Sequence, residues 1–417
     1  MSVRRLAHAA RTALRIVSAP AKHASGKGGS VVVQPYRGYG TTDEIFFMGR
    51  VFRQPTLGMG LRQGSVLRDW ADLVRRIARF GMGSVEVRVS FQGDELRVES
   101  DRDGYFHVHM PLTSPPPLDR LWHEVKLELR RGSDVLGHDT ADVFIPPASA
   151  QFVVISDIDY TVMRTGVVNV AVMMWRLFMQ GAESRTAFPG VGAFYRALHR
   201  GVGKADQNPM LYVSRGPWSI YEVLEEFFQL HGIPVGPVLF LREWGLTLQR
   251  PLPKRASGHK LDLIEDMLAR YDELPFLLIG DSGQHDPEIY AEVVRRHPNR
   301  ILAVYIRNVS QDGSRFDEIE ELSTQLLEAE SELVLAADST AMASHAAERG
   351  WITEAAVDEV ASLRAREGEP SDEVPAQHVQ PDASQEQSEQ FRDAVKDGNE
   401  GPSPNVIVQP ADGRKQE

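Results

Sequence analysis

The chain has 417 residues, of which 42% are hydrophobic, and its formal net charge is -12 at pH 7. This length suits roughly two to three domains of about 150 residues each, and the absence of cysteine excludes disulfides, thiolate metal sites and cysteine nucleophiles. The acidic balance argues against nucleic acid as a partner, no run of about 18 apolar residues predicts a transmembrane helix, and the cysteine-free composition suits a reducing, cytoplasmic location.

Residues 1–29 form a basic N-terminal arm and linker, with six basic side chains and no acidic one. Within the arm, residues 3–17 favour a helix with small and aliphatic side chains near one face. This pattern is compatible with a surface helix packed on the body, a weak interfacial helix or a targeting segment. An anionic membrane attracts each nearby Lys or Arg by about 1 kcal/mol, so peripheral membrane contact is one expectation for this arm.

Residues 30–148 have the pattern of an all-β, sandwich-like domain. Short alternating runs such as Val85–Phe91 and His123–Leu129 are separated by turn residues, as in two-layer β structure. Asp103-Gly104, placed before aromatic residues, predicts a hairpin turn. Residues 67–80 interrupt the pattern and predict a helical insert.

Between residues 150 and 350 strands alternate with helices, which predicts a parallel sheet with helices on both faces. The predicted strands are 152–156, 210–213, 238–241, 276–279, 301–306 and 333–335. The apolar run 167–179 is an insertion after the first strand, and it is either a small cap over the site or a helix buried against the core. Residues 351–417 predict a helical end followed by an acidic tail, which is too polar to fold and is expected to be disordered.

Polar residues follow the predicted strands at their carboxyl ends, where α/β folds bind ligands. They are Asp157, Asp159 and Thr161 after the first strand, Ser214 after the second, and Asp281 and Asp286 after the fourth, with Lys260 opening the helix before that strand. This set suits phosphoryl transfer, because one carboxylate can attack phosphorus and a second, two residues on, can move the proton. Magnesium held by carboxylates offsets the repulsion between anionic groups, while a hydroxyl and a lysine stabilise the phosphoryl oxygens.

These motifs, in this order, resemble the four motifs of the haloacid dehalogenase superfamily of phosphatases over about residues 151–350. The sequence in and around the motifs resembles that of the catalytic-domain family typified by the yeast actin-patch phosphatidate phosphatase. The similar segments are Ile155–Asp159, Phe188–Gly190, Tyr212–Trp218, Gly280–Tyr290 and Tyr305–Arg307. The resemblance implies a Rossmann-like parallel sheet of the haloacid dehalogenase type with a small cap insertion. It also implies magnesium-dependent hydrolysis of phosphatidate, a phospholipid monoester, to diacylglycerol and phosphate.

The resemblance further implies roles for individual residues. The implied catalytic residues are Asp157 as nucleophile, Asp159 as general acid/base, Thr161 as a support of the aspartate loop, and Lys260. The implied substrate-binding residues are Ser214, Arg215 and Lys260, and the implied magnesium ligands are Asp157, Asp281, the backbone carbonyl of Asp159, and Asp286 through water. Tyr160 and the pair Arg215-Gly216 depart from the family pattern near the predicted substrate entrance, so they bear on substrate identity.

Several alternatives stay open at this stage. Asp286 precedes Pro287, so it is also a candidate helix N-cap, and a further alternative is that it orients Lys260. Lys254 is a rival of Lys260 for the lysine role, and Arg307 either binds a lipid phosphate or pairs with an acid. A soluble phosphometabolite is the alternative substrate, and a non-catalytic scaffold that uses the β domain is the alternative function.

Overall fold

The computed structural model contains two compact units. The first is made of Met1–Ala150, Thr165–Thr186 and Asp206–Lys254, and the second of Gln151–Arg164, Ala187–Ala205 and Arg255–Glu417. The residues that the structure describes are 31–53, 80–158, 161, 187–203, 206–214, 218, 221–240, 256–309, 313–328, 331–368 and 406–408. The predicted helix at 3–17, residues 67–79 of the predicted insert and the apolar run at 167–179 lie outside the described residues.

The described elements follow the chain from a β-rich region to alternating strands and helices. The strands are β1 (Val31–Pro35), β2 (Gly38–Gly40), β3 (Glu44–Arg53), β4 (Phe80–Gly81), β5 (Glu86–Phe91), β6 (Asp94–Glu99), β7 (Tyr105–Pro111), β8 (Trp122–Arg131), β9 (Asp134–Phe144), β10 (Val153–Asp157), β11 (Met210–Ser214), β12 (Val238–Phe240), β13 (Phe276–Asp281), β14 (Ile301–Arg307), β15 (Glu332–Ala336) and β16 (Val406–Val408). The helices are α1 (Val191–Arg200), α2 (Tyr221–Leu230), α3 (Ala256–Arg270), α4 (Asp286–Arg296), α5 (Gly313–Glu328), α6 (Ser339–Glu348) and α7 (Glu354–Gly368). Among the helices in these ranges, none is both long enough and apolar enough to cross a bilayer.

The first unit is built on a mainly antiparallel sheet. Its strands lie in the order β1-β3-β2-β9-β8-β5-β6, and β4 and β7 also pair with β3. Burial alternates along the strands, as in β3, where Ile45, Phe47 and Val51 point inward between less buried neighbours. The inward-facing residues of β3 and β7 and those of β5, β8 and β9 form one hydrophobic cluster, which includes Phe106 and Leu127. The predicted antiparallel β-rich region is therefore confirmed.

The turn at Asp103-Gly104 forms, but it does not close the predicted hairpin. Asp101 accepts hydrogen bonds from two backbone N–H groups of this turn, and Gly104 has a φ of 85°. The strand that follows, β7, pairs with β3 instead of with the preceding strand β6. The hairpin of this region joins β5 and β6 through Gln92 and Gly93, both with positive φ. A turn sets the local chain direction, whereas the apolar face that must be covered decides strand pairing.

The segment that carries β11 and α2 packs within the first unit. Strands β11 and β12 pair in parallel. Tyr36 stacks on Trp218, with ring centroids 4.7 Å apart, and its ring lies 4.6 Å from that of Tyr221. The Arg37 backbone N–H donates to the Tyr221 hydroxyl at 2.9 Å, and its guanidinium pairs with Glu225. These contacts explain why this segment belongs to the same unit as the antiparallel sheet.

The second unit contains a parallel sheet with strands β10, β13, β14 and β15 side by side. Every residue of β10, β13 and β15 is buried, as expected for strands that are covered on both faces. These strands lie close to their predicted bounds, so the predicted parallel sheet is confirmed. Asp157 ends β10 and Asp281 ends its neighbour β13, and both side chains therefore emerge at the carboxyl edge of the sheet.

A short strand, β16, departs from the predicted disordered tail. Val406–Val408 pair antiparallel with the residues Val334 to Ala336 of β15. The three residues of β16 are β-branched and apolar, and such residues favour strands. β15 pairs with β14 on its other side, so the tail strand satisfies backbone groups at a sheet edge.

Candidate active site

Four charged side chains meet at the carboxyl edge of the parallel sheet in the second unit. Asp157, Lys260, Asp281 and Asp286 each have 0% exposure. The Lys260 ammonium donates to Asp157 Oδ1 at 2.8 Å and to Asp286 Oδ1 at 2.5 Å. One carboxylate oxygen from each of the three aspartates lies within 4.8 Å of the others. The structure therefore brings together four residues singled out in the sequence, while their individual roles stay predictions.

Local structure explains how these side chains reach one another. Ser156 lies opposite Ile279 in the parallel register of β10 and β13. Asp157 follows Ser156 directly and Asp281 lies two residues after Ile279, so the two aspartates leave neighbouring strands within one residue of the same height. Asp286 is the first residue of α4, and its carboxylate folds back against the end of β13. A Cβ at Gly280 would lie 2.5 Å from Asp286 Oδ2 and 2.8 Å from Tyr290 Cε2. Glycine is required at this position because any side chain would push Asp286 away.

We expect Gly280→Ala to destabilise the protein by about 1–3 kcal/mol, the usual cost of overpacking a buried site. Urea unfolding, followed by circular dichroism, measures this cost. Gly137→Ala is the matched control, because Gly137 also lies in a strand and a Cβ there would meet no atom closer than 3.9 Å. Equal unfolding midpoints for the two variants would contradict the proposed crowding.

Electrostatic attraction to the Lys260 ammonium holds the acidic side chains together, and the cluster keeps a net negative charge. Burial by itself disfavours the Lys260 ammonium, but the charges of Asp157 and Asp286 and their hydrogen bonds outweigh burial and raise the pKa of Lys260. Burial and the neighbouring charge of Asp286 raise the pKa of Asp281 to about 7, against the opposing effect of Lys260. One ammonium faces three carboxyl groups in this cluster, so further positive charge would stabilise their ionised forms.

The carboxylate of Asp281 is held by the loop that follows it. The Gly283 backbone N–H donates to Asp281 Oδ1 at 2.8 Å, and Gln284 Nε2 donates to Asp281 Oδ2 at 3.0 Å. The Asp281 backbone N–H donates in turn to Asp286 Oδ2 at 3.3 Å. The shape of residues 281–286 therefore sets the positions of two carboxylates at once.

The residues present fit a magnesium ion by the chemistry of their donors. Magnesium prefers oxygen ligands and is commonly held by one or two carboxylates with waters completing the shell. Asp157, Asp281 and Asp286 are the one group of metal-binding side chains found together among the described residues. Their excess negative charge is what a divalent cation would offset.

The structure corrects two local predictions. Asp286 is not the N-cap of α4, because that position is held by His285. The Asp286 carboxylate binds Lys260 instead, so of the alternatives left open, the one in which Asp286 orients Lys260 agrees with the geometry. Lys260 does not open its helix, because α3 begins at Ala256. The rival Lys254 lies outside the described residues.

Other predicted site residues are placed incompletely or not at all. Asp159 and Arg215 lie outside the described residues. Thr161 is 1% exposed, and its Oγ1 accepts or donates no hydrogen bond with another described residue, so its support of the aspartate loop stays a prediction. Ser214 is buried at the end of β11 in the first unit. Arg307 is buried, donates to the Ser339 hydroxyl at 2.9 Å and lies over the Phe188 ring.

Several residues at the site were missed by sequence reasoning. Gln284 and Tyr290 lie inside the segment Gly280–Tyr290, whose sequence resembles the phosphatase family. Gln284 donates to Asp281, and the Tyr290 ring lies 5.4 Å from the Lys260 ammonium. Tyr195 shares a 2.6 Å hydrogen bond with Ser156, the residue before Asp157. Signals for Gln284 and Tyr290 were therefore present in the motif. Tyr195 has no local pattern that distinguishes it from a core aromatic residue.

Comparison with known proteins gives matches to one part of the chain. Residues 152–308 match the family model of the phosphatidate phosphatase APP1 catalytic domain. Phosphatidate phosphatase APP1 of Saccharomyces cerevisiae is 33% identical over 161 residues, which cover 38% of this chain and 26% of that protein. An uncharacterized protein of Schizosaccharomyces pombe is 29% identical over 160 residues, covering 38% of this chain and 25% of its own length. The chain therefore spans about a quarter of the length of these relatives.

Solved structures add no argument about function. A carbohydrate acetylesterase from Xanthomonas citri aligns with 70% of this chain and 72% of its own chain, at 12% identity and a TM-score of 0.23. At this TM-score the alignment carries no argument about the fold. The family match and the buried cluster therefore carry the functional argument.

Proposed function

We propose that this chain is a magnesium-dependent phosphatase, because residues 152–308 match the family model of the phosphatidate phosphatase APP1 catalytic domain. Its proposed substrate is phosphatidate, which it converts to diacylglycerol and phosphate. The observation that carries the proposal is the buried cluster in which Lys260 binds both Asp157 and Asp286 beside Asp281. A nucleophilic carboxylate, a fixed ammonium and a set of oxygen ligands in one place suit phosphoryl transfer.

The proposed reaction proceeds in two steps. A carboxylate oxygen of Asp157 attacks phosphorus, the bond from phosphorus to the glycerol oxygen breaks, and Asp159 donates a proton to that leaving oxygen. A water molecule then attacks the phosphorus of the aspartyl-phosphate and gives a proton to Asp159. The bond from phosphorus to Asp157 breaks, phosphate leaves, and both aspartates return to their initial protonation states.

Lys260 has two tasks in this proposal. Its ammonium holds Asp157 Oδ1 at 2.8 Å and so fixes the orientation of the carboxylate that attacks. The same positive charge stabilises the anionic phosphoryl group as it approaches a carboxylate. Asp157, Asp281, the backbone carbonyl of Asp159 and, through water, Asp286 would hold a magnesium ion, which would supply the remaining charge compensation.

The proposal extends to architecture and location. We place the proposed phosphatase domain of the haloacid dehalogenase type, with a small cap insertion, at residues 150–350, after a sandwich-like domain at 30–148 in the sequence. The arm at 1–29 reaches an anionic membrane surface from the cytoplasm, and residues 351–417 form a helical end and an acidic tail. The parallel sheet with an acidic carboxyl edge supports the phosphatase domain, and the basic charge of the arm supports the contact with an anionic membrane.

A matched pair of substrates tests the proposal. Phosphatidate in detergent micelles and glycerol 3-phosphate carry the same phosphomonoester, but only the first carries acyl chains. We expect magnesium-dependent phosphate release from phosphatidate, a much lower kcat/KM for glycerol 3-phosphate, and no release in excess EDTA. Equal or faster release from glycerol 3-phosphate would indicate a soluble substrate. Release from neither ester would contradict a phosphatase of this type.

A further inference from the structure

We propose that Arg315 is a positioning residue for the magnesium ligands, acting through the loop between Asp281 and Asp286. The inference rests on the proposed function in one respect, that these aspartates bind magnesium. Arg315 lies on α5 and follows Ser282 by 33 residues. Its described hydrogen bonds and ion pairs are with Ser282, Gln284, Glu288 and Glu318 and not with Asp157 or Lys260, so we infer that it acts through the loop.

The guanidinium of Arg315 binds the loop at two points. Its Nε donates to the Ser282 carbonyl at 2.9 Å, and its Nη2 donates to the Gln284 carbonyl at 2.7 Å. Nη2 also donates to Glu288 Oε2 at 3.0 Å, and Nη1 bonds to the other oxygen of the same carboxylate. Nη1 further donates to Glu318 Oε2 at 3.0 Å within α5. One side chain thus ties two loop carbonyls to the first turn of α4.

The loop bound by Arg315 is the one that determines the positions of the Asp281 and Asp286 carboxylates. The carbonyls to which Arg315 donates belong to residues 282 and 284, and residues 283 and 284 hold both carboxylate oxygens of Asp281. Ser282 is fixed separately, since its N–H donates to the Arg307 carbonyl and its hydroxyl accepts from the Val309 N–H. Without the guanidinium, the Gln284 carbonyl loses its hydrogen bond from Arg315. A change there moves Asp281 relative to Asp286.

The shape of the guanidinium matters as much as its charge. Arginine presents five N–H donors in a planar fork, whereas lysine offers one compact ammonium. Arg315→Lys therefore keeps the positive charge but cannot reach two carbonyls and a carboxylate together. Groups that orient metal ligands from outside typically change metal affinity or activity by about 10- to 100-fold when they are replaced.

The chain contains a matched control in Arg300. Its Nη2 donates to the carbonyls of Leu268, Tyr271 and Leu274, at 3.1, 2.8 and 3.2 Å. It is half-buried like Arg315, lies in the same unit, and holds the turn after α3 instead of the acidic loop. Arg300→Lys removes a comparable set of backbone contacts and so reports the general cost of such a loss.

The test measures magnesium binding by isothermal titration calorimetry on the full chain, without substrate, for wild type, Arg315→Lys and Arg300→Lys. The magnesium dependence of phosphate release is measured in parallel. We expect Arg315→Lys to raise the magnesium Kd and the half-saturating magnesium concentration by about 10-fold or more, with most of kcat recovered at saturating magnesium. Arg300→Lys should lower the unfolding temperature, but its magnesium Kd and its half-saturating magnesium concentration should equal those of wild type.

Three results would overturn the inference. The first is a wild-type magnesium Kd in Arg315→Lys, and the second is an equal shift of the magnesium Kd in Arg300→Lys, which would mark a general loss of stability. The third is the absence of magnesium binding in wild type. Failure of the proposed function is separately visible. A raised magnesium Kd in Arg315→Lys, together with no phosphate release from any ester by wild type, would support the positioning role and reject the phosphatase.

Discussion

Asp157→Asn is expected to lower phosphate release from phosphatidate by about 10⁴- to 10⁶-fold, the range found when a nucleophile or its partner base is removed from a hydrolase. An amide oxygen is too weak a nucleophile to form the aspartyl-phosphate. The substitution is nearly isosteric and removes one negative charge from a cluster with one ammonium and three carboxyl groups. We therefore expect the variant to fold with at least the stability of the wild type.

The measurement is phosphate release at saturating magnesium, with unfolding in urea as the check on folding. Asp266→Asn is the matched control, because Asp266 lies on the surface of α3 and pairs only with Arg270 among the contacts described for it. This control should retain wild-type turnover. If Asp157→Asn stays active, Asp157 is not the nucleophile. If the variant is inactive but supports the same cellular phenotype as wild type, the scaffold alternative gains the support.

Sequence patterns predicted the second unit well for a physical reason. Val153–Ile155 and Leu277–Ile279 are unbroken apolar runs that end in acids, and a buried parallel strand is the structure that covers both faces of such a run. The acidic edge of the sheet followed directly, because carboxyl ends of parallel strands meet at one edge. The parallel sheet and its acidic edge were therefore accessible from residue order alone.

The tertiary partners of individual side chains and strands could not be predicted in the same way. Asp286 has the local signature of a helix N-cap, yet its carboxylate binds Lys260, because a buried carboxylate is attracted more strongly by a full positive charge than by an uncharged backbone N–H. The Asp103-Gly104 turn likewise formed without setting the pairing of β7. Arg315 carried no signal at all, because its contacts depend on how α5 lies against the acidic loop. Both predictions failed, and Arg315 was missed, because each depended on which tertiary partner a group contacts, and local sequence does not determine that.

Lys260→Met is expected to destabilise the metal-free protein by about 3–5 kcal/mol at pH 8, the usual effect of removing one partner from a buried ion pair. Methionine fills a similar volume but leaves Asp157 and Asp286, both 0% exposed, without their ammonium. The pKa of Lys260 is raised in the folded protein, so its stabilising charge is fully present below the ordinary lysine pKa of 10.5 and is lost only above the raised value. At pH 8 the full contribution is therefore available to be lost.

The pH dependence of this variant distinguishes charge from packing. The pKa of Asp281 is raised to about 7 by burial and by Asp286, so the cluster takes up a proton as the pH falls to 5. Less negative charge then remains uncompensated, and the destabilisation of Lys260→Met should be smaller at pH 5 than at pH 8. A loss caused by packing alone would be the same at both values.

Urea unfolding in EDTA at the two pH values measures the effect, with Arg270→Met as control. Arg270 lies on the same helix and pairs with the half-exposed Asp266, so its loss should cost under about 1 kcal/mol. Added magnesium should restore much of the stability of Lys260→Met, because the ion supplies charge to the same carboxylates. It should not restore phosphate release, since the ammonium that fixes Asp157 Oδ1 is gone. A variant as stable as wild type in EDTA would mean that the lysine does not hold the acidic cluster together.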